Sequence, residues 1–261
     1  MDKKKKRGNF IRNIIFAAAL VVFAVSAYQL LMIYMEYKKG SDEYKDLAGE
    51  AEKILASAEE TEEAGNGENS ESAAAGPWMD LYNAMIKENE DYIGWITIED
   101  TNINYPIVQC EDNDYYLTHT FEREENASGA LFVDSGIQDR MEGKNVIVYG
   151  HNMKNGSMFA NLKKYREDEF FEDHRHFKVY TATGLYIYEV FSVYTVSPDS
   201  DTYTIGFADD ADFMNYIQKM QSRSIHNTGV TVSAEDKIIT LSTCVNHNVD
   251  RLIIQAKRLE S

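Results

Sequence analysis

A long apolar segment near the start of the chain constrains its fold more than any other feature. Residues 14–35 read IIFAAALVVFAVSAYQLLMIYM and carry no charged side chain. As a helix rising about 1.5 Å per residue, this segment would span roughly 33 Å, enough to cross a hydrocarbon core of about 30 Å. The apolar region of a cleaved signal peptide is shorter, usually about 7–15 residues. The length therefore favours a retained membrane anchor over a signal peptide.

The charges beside this segment predict its orientation. Residues 1–13 contain six lysines and arginines and one acid, whereas residues 36–75 contain 12 acids and four bases. Basic residues next to a membrane helix stay on the cytoplasmic side. We therefore expect a cell-membrane protein with a cytoplasmic N-terminus and everything after the anchor outside. The formal net charge of −17 argues against nucleic acid as a partner, because the phosphate backbone would be repelled.

Between the anchor and the folded body, residues 36–76 are expected to form an acidic stalk. Apolar residues recur at helical spacing over residues 41–64, which predicts a short amphipathic helix. Residues 65–77 consist mainly of Gly, Ser, Asn, Glu and Ala, which is typical of a flexible linker. The stalk is either a spacer or a simple solvated connector, and the body follows at residues 77–261.

Short β-type segments dominate this body. Many of them alternate apolar and polar residues, and turn-forming residues bound them. Helical patterns occur after Pro77 and as inserts at residues 157–174 and 209–225, the second with Asp209 or Asp210 as a candidate N-cap. Because strands and helices do not alternate regularly, we expect an antiparallel or mixed β-barrel or sandwich with helical insertions. The β-type segments are residues 95–99, 103–108, 130–134, 145–150, 177–182, 185–196, 237–243 and 251–257.

Three side chains at the ends of these segments are candidates for chemistry. Cys244 ends the run TLSTC, His151 follows the run NVIVYG, and Arg251 opens the next run seven residues after the cysteine. A thiolate there could attack a peptide carbonyl, with the histidine protonating the leaving amine and the arginine stabilising the oxyanion. Each residue also has an ordinary explanation, as a small core residue, a hydrogen-bonded surface histidine or a solvated arginine at a sheet edge. Residue types and spacing alone leave both interpretations open.

The motifs around these residues resemble the active-site motifs of sortases, and those of class B in detail. YGHNM at residues 149–153, TLSTC at residues 240–244 and the arginine that opens RLIIQAK at residues 251–257 occur in the order that the family shows. NYPIVQ, DNDYYL, GALFVD and the long helical insert before the last two strands match as well. The resemblance covers about residues 77–261, and the anchor with its stalk also fits.

The resemblance implies both a fold and an activity. The fold would be mainly β, a closed eight-stranded β-barrel with helical insertions and an N-terminal helix, preceded by one transmembrane helix. The activity would be that of a membrane-anchored cysteine transpeptidase of Gram-positive-type bacteria. Such enzymes cut a C-terminal sorting motif of surface proteins after its Thr, hold the protein as a thioacyl-enzyme and pass it to an amine. The amine would belong to a peptidoglycan precursor or to a pilin lysine, and no cofactor is implied.

The motif positions also imply roles for particular residues. Cys244 would be the nucleophile, His151 the general acid/base and Arg251 the oxyanion stabiliser. Substrate recognition would involve the loop at residues 197–233 and the segment around Asn113. The residues expected to contact the substrate are Ser242, Tyr149, Asn113 and Leu117.

Several alternatives remain open on the sequence. The same nucleophile could serve an extracellular cysteine protease that passes its acyl-enzyme to water, and a non-catalytic surface module could share the barrel. His247 is an alternative base in the loop after Cys244. Cys110 could be a free thiol or could form a reversible disulfide that blocks Cys244. His174 and His176 lack further ligands at matching spacing, so no metal site is expected.

Overall fold

The computed structural model describes residues 2–64, 76–246 and 249–259, and in the first helix it describes side chains from residue 12 to residue 57. Nearly all of the predicted linker at residues 65–77, together with His247, lies outside the described residues. The described α-helices are α1 (Asp2–Ala64), α2 (Pro77–Glu88), α3 (Asp168–Asp173) and α4 (Asp210–Arg223), and 3₁₀ segments lie at Tyr115–Leu117, Arg140–Glu142, Phe159–Arg166 and Asp201–Tyr203.

Eight strands follow α2 along the chain. They close into one barrel in the order β1-β2-β3-β4-β7-β8-β6-β5. Each overlaps one of the predicted β-type segments, so the predicted barrel with helical insertions is confirmed. The strands are β1 (Tyr92–Thr97), β2 (Asn104–Val108), β3 (Leu131–Val133), β4 (Asn145–Tyr149), β5 (His176–Thr181), β6 (Gly184–Val196), β7 (Ile238–Val245) and β8 (Asp250–Arg258).

The barrel is mixed, because two of its strand pairs are parallel. β2 pairs with β3 in parallel, β4 pairs with β7 in parallel, and the remaining pairs are antiparallel. A parallel pair requires a long crossover connection. The connection from β4 to β7 contains α3, β5, β6 and α4, which explains why the helical patterns appear in the sequence as inserts.

Alternating side chains fill the barrel interior, as the sequence pattern predicts. In β5, Phe177, Val179 and Thr181 are buried, while the residues between them are only partly covered. Large side chains such as Trp95 and Leu241 are fully buried in the same core. Burial of this apolar surface supplies the main favourable free energy for closing the barrel.

The two predicted helical inserts have different outcomes. The second is confirmed as α4, and the Asp209 side chain caps it by accepting a hydrogen bond from the Asp212 amide at 2.9 Å. The apolar face of α4 covers β6 and forms a separate cluster with Phe191 and Tyr194. The first insert is not one helix, since Glu167 is extended and separates the 3₁₀ segment from α3.

α1 is a single helix of 63 residues. Its apolar part is long and apolar enough to be a candidate membrane span, and its side chains there are exposed. The helix does not stop at the end of the apolar segment but continues along the barrel. Tyr44, Leu47 and Ala51 lie on one face of α1 and are buried in the same apolar cluster as the barrel side chains, with Ile54 and Leu55 packed at its margin.

This packing differs from the expected solvated stalk. The amphipathic spacing predicted the helix, but it could not show that the apolar face of the helix would meet the barrel. A loop at residues 118–129, named here the contact loop, receives this part of α1. The Asn126 side chain donates to the Glu36 carbonyl at 2.9 Å, and the Lys39 ammonium lies 3.1 Å from Glu124. Residues 36–55 are therefore joined to the body by direct contacts.

Leu47→Ala is expected to loosen α1 from the barrel. Leu47 is buried, and truncating a buried leucine typically costs about 2–5 kcal/mol. Because the lost contacts lie between α1 and the barrel, we expect faster amide hydrogen exchange in residues 36–55 and in the contact loop, with little change in the strands. Asp46→Ala, at an exposed neighbouring position, is the control. Equal exchange in the two variants, measured on the full chain in detergent, would contradict this role of Leu47.

Candidate active site

The parallel pairing of β4 with β7 brings two of the candidate residues to the same end of the barrel. Tyr149 of β4 pairs with Ser242 of β7, so both strands end at the same edge. His151 lies two residues beyond the end of β4, and Cys244 is the last residue but one of β7. The parallel register therefore brings the loop that begins at His151 close to Cys244, although the two residues are more than 90 positions apart in the sequence.

The antiparallel pairing of β7 with β8 adds Arg251. Its Cα atom is the register partner of Cys244. Residues directly opposite each other in an antiparallel pair have Cβ atoms about 4.5–5.5 Å apart and point to the same face of the sheet. Both side chains are half-buried, and Arg251 Nη1 donates to the Asp250 carbonyl at 3.2 Å. The guanidinium and the thiol thus belong to one surface.

A cavity of about 380 Å³ opens at this edge of the barrel. All seven residues that the sequence singled out line it, which brings the expected catalytic and substrate-contacting side chains together. Five further lining residues were not predicted. The predicted lining residues are Cys244, His151, Arg251, Ser242, Tyr149, Asn113 and Leu117, and the others are Phe132, Gly150, Pro198, Tyr203 and Thr243.

Hydrogen bonds outside the regular ladder join the histidine loop to the cysteine strand. The Gly150 amide donates to the Ser242 carbonyl at 3.1 Å, and the Thr243 hydroxyl donates to the Gly150 carbonyl at 2.7 Å. The Asn152 amide group donates to the carbonyl of Cys244 at 2.8 Å. The loop and the strand therefore have little freedom to separate.

The imidazole of His151 is oriented by a backbone group. Its Nε2 lies 2.8 Å from the Leu117 carbonyl, and a carbonyl oxygen can only accept a hydrogen bond. Nε2 must therefore carry the proton in this contact, and Nδ1 is the ring nitrogen left for proton exchange. The His151 carbonyl itself accepts from the Phe159 amide at 2.9 Å, which fixes the backbone of the loop.

Comparison with known proteins identifies the family. A model of the sortase domain matches residues 96–259, which is more than half of the chain. The chain belongs to the sortase family. It is 40% identical over 185 residues to sortase B of Listeria monocytogenes, an alignment that covers 70% of this chain and 75% of that protein.

Solved structures give the same assignment. The Staphylococcus aureus sortase B–substrate complex matches with a TM-score of 0.75 and 27% identity, covering 87% of this chain and 99% of that one. Sortase B from B. anthracis in complex with AAEK1 matches with a TM-score of 0.70 and 36% identity, covering 87% of this chain and 100% of that one. Together with the closed eight-stranded barrel, these likenesses make the enzyme a class B sortase transpeptidase.

Two tyrosines set the polarity of the cavity in this sortase. Burial raises the pKa of Tyr203, while its hydrogen bond of 3.0 Å with Ser242 and the nearby charge of Arg251 act in the opposite direction. Burial also raises the pKa of Tyr149, and the adjacent Asp134 carboxylate raises it further. Both phenols are therefore neutral near pH 7 and add no charge to the cavity.

Asp134 holds two of the cavity side chains from outside the cavity. Its Oδ2 accepts a hydrogen bond from the Tyr149 hydroxyl at 2.8 Å and another from the Asn113 side chain at 3.2 Å. The Asn113 oxygen in turn accepts from the Ser135 amide at 2.8 Å. The carboxylate thus sets the position of both residues relative to each other.

The residues near the cavity that were not predicted differ in whether the sequence contains a signal for them. Asp134 directly follows β3, so the rule that singled out His151, a polar residue at a strand end, could have found it. Gly150 stands inside the motif YGH, where a Cβ would come within 2.4 Å of Leu131. Tyr203 lies in the segment expected to recognise substrate, but its contact with Ser242 spans 39 residues and has no local signal.

Cys110, His174 and His176 do not line the cavity. Cys110 and Cys244 are both free thiols in the structure, and burial raises the pKa of Cys110. His174 contacts the Phe170 carbonyl and, at 2.8 Å, the carboxylate of Asp100. Among the described residues, no group of three or more His, Cys, Asp and Glu side chains could hold a metal ion.

Asp134→Ala is expected to destabilise the fold around the cavity. The change removes the acceptor for Tyr149 and Asn113, and for the Gly136 amide, which donates to Oδ1 at 2.9 Å. Leaving partly buried donors without a partner costs about 1–3 kcal/mol. Urea denaturation should show this loss, with a smaller loss in Asp134→Asn. The control is Asp139→Ala, at an exposed carboxylate of the same segment. Equal midpoints for Asp134→Ala and this control would contradict the assignment.

Proposed function

We propose that this sortase cleaves a C-terminal sorting motif of surface proteins through a thioacyl-enzyme and transfers the protein to an amine. One observation carries the proposal: the register of β4, β7 and β8 brings His151, Cys244 and Arg251 to the wall of a single cavity. The Staphylococcus aureus neighbour, a sortase B–substrate complex, supports a substrate site in the same fold. Recognition of the motif is assigned to Ser242, Tyr149, Asn113 and Leu117, with no cofactor.

In the proposed reaction, Cys244 is the nucleophile and His151 the general acid/base. The thiol proton passes to Nδ1 of the imidazole, because Nε2 is already bonded to the Leu117 carbonyl. The thiolate attacks the scissile carbonyl, and Nδ1–H protonates the leaving amine as the C–N bond breaks. An acceptor amine then attacks the thioester, gives its proton to the same nitrogen and releases the thiolate.

Arg251 is proposed to stabilise the tetrahedral oxyanion. Its register position opposite Cys244 supports this role, because the two side chains start from neighbouring points on the same face of the sheet. Fixed donors directed at developing negative charge are among the largest contributions to acyl-transfer catalysis. Such donors accelerate the reaction only if they bind the transition state more tightly than the substrate.

The location of the reaction follows from α1. We propose that residues 14–35 span the membrane with the basic residues before them in the cytoplasm, which places the barrel outside the cell. The acceptor in that compartment would be a peptidoglycan precursor or a pilin lysine.

Cys244→Ala should abolish turnover of a donor peptide. With the unaltered enzyme, added triglycine or hydroxylamine should divert the acyl group into an amide or hydroxamate product. Mass spectrometry of the products separates transfer from hydrolysis. A product that stays the free acid in the presence of amine would favour a cysteine protease, and full activity of Cys244→Ala would overturn the nucleophile assignment.

Arg251→Lys should reduce kcat by about 10²–10³-fold while KM changes little, because lysine keeps the charge but loses the planar set of donors. Steady-state kinetics on a donor peptide measure both values. Arg140→Lys is the matched control, since Arg140 is exposed and does not line the cavity. An increase of KM at constant kcat would instead assign Arg251 to substrate binding.

A further inference from the structure

Tyr44 of α1 makes two buried hydrogen bonds to the contact loop. Its hydroxyl donates to the Gly129 carbonyl at 2.6 Å and accepts from the Phe121 amide at 3.2 Å. The side chain is only 5% exposed, and burial raises the pKa of the phenol well above its usual value. The neutral hydroxyl therefore ties the beginning and the end of residues 121–129 to the anchor helix.

Gly129 packs directly against the backbone that precedes the contact loop. Its φ angle of 55° lies in the left-handed region, and a Cβ there would lie 2.5 Å from the Tyr116 carbonyl oxygen and 2.9 Å from that of Leu117. The next residue, Ala130, donates its amide to the Tyr116 carbonyl at 2.9 Å. The Leu117 carbonyl therefore lies against the same glycine that Tyr44 holds.

That carbonyl is the group that accepts from His151 Nε2 at 2.8 Å. A continuous set of contacts thus leads from α1 through Gly129 and Leu117 to the imidazole. Further bonds hold the loop on the helix, since the Ala127 amide donates to the Glu36 carboxylate at 2.9 Å and the Glu122 amide donates to Glu43 at 3.1 Å.

We propose that Tyr44 is a positioning residue for His151. Through Gly129 it holds the Leu117 carbonyl in position to accept a hydrogen bond from His151 Nε2. That hydrogen bond selects the Nε2–H tautomer and orients Nδ1 toward the cavity. The extramembrane part of the anchor helix then belongs to the catalytic unit. The proposal rests on the general acid/base role of His151 put forward above.

Tyr44→Phe removes only the hydroxyl and tests the proposal in the full chain in detergent micelles. We expect kcat for a donor peptide to fall by about tenfold with KM within about twofold, because misplacing a proton-transfer group affects the chemical step. The control is Tyr37→Phe, on the same helix and packed against the same apolar cluster, whose hydroxyl makes no hydrogen bond to the described side chains or backbone. That control should keep the unaltered kcat.

A double variant tests whether the effect passes through Gly129. Gly129→Ala would displace the Leu117 carbonyl, so it should also lower kcat. Because both changes act on one carbonyl, the Tyr44→Phe/Gly129→Ala variant should lose less than the product of the single losses. Multiplicative losses would show independent actions and overturn the proposed route.

The ring nitrogens of His151 give a readout that does not depend on turnover. Two-dimensional ¹H–¹⁵N spectra of histidine-labelled protein distinguish the two neutral tautomers. The unaltered enzyme and Tyr37→Phe should show the Nε2–H form, and Tyr44→Phe should show a mixture. An unchanged kcat or an unchanged tautomer in Tyr44→Phe would overturn the proposal, whereas activity of Cys244→Ala would contradict the proposed function and leave the tautomer result valid.

Discussion

The parallel pairing of β4 with β7 is the constraint on which the rest of the active site depends. The two strands share a register of five residue pairs from Asn145 with Ile238 to Tyr149 with Ser242. Because side chains alternate along a strand, a slip of one residue would turn Cys244 away from the cavity. The bonds that Gly150 makes to the cysteine strand extend this register beyond the end of the ladder. The relative position of His151 and Cys244 is thus set mainly by backbone hydrogen bonds.

Direct contacts also fix the position of α1 relative to the barrel. Its first contact with the body, at Glu36, follows directly on the apolar segment 14–35. A bilayer spanned by that segment would therefore lie next to the contact loop, and the barrel could not swing away as it would on a flexible tether. If residues 14–35 span a bilayer, as proposed, this attachment would leave the barrel little orientational freedom relative to the membrane.

Local patterns predicted the strands well, because apolar and polar residues alternate in the sequence of segments such as β5, as buried and less buried side chains do in the structure. Position at strand ends made the three central side chains candidates, and motif resemblance implied their roles and added Tyr149, Ser242, Asn113 and Leu117. Contacts made across long sequence separations were not predictable. The hydroxyl of Tyr44 meets Gly129 across 85 residues, and Tyr203 meets Ser242 across 39. Neither contact produces a periodic pattern in the sequence, so residues 36–76 were expected to be a spacer or a solvated connector.

The orientation of His151 bears on the choice between transfer and hydrolysis. With Nε2 bonded to the Leu117 carbonyl, one nitrogen, Nδ1, must serve both halves of the proposed reaction. It protonates the amine that leaves and deprotonates the amine that enters. The second half-reaction is therefore the reverse of the first, with a different amine. A site shaped to protonate a departing amine is by microscopic reversibility also shaped to accept one. In the proposed reaction the entering amine therefore uses the same nitrogen as the leaving amine, which is the arrangement that acyl transfer to an amine requires.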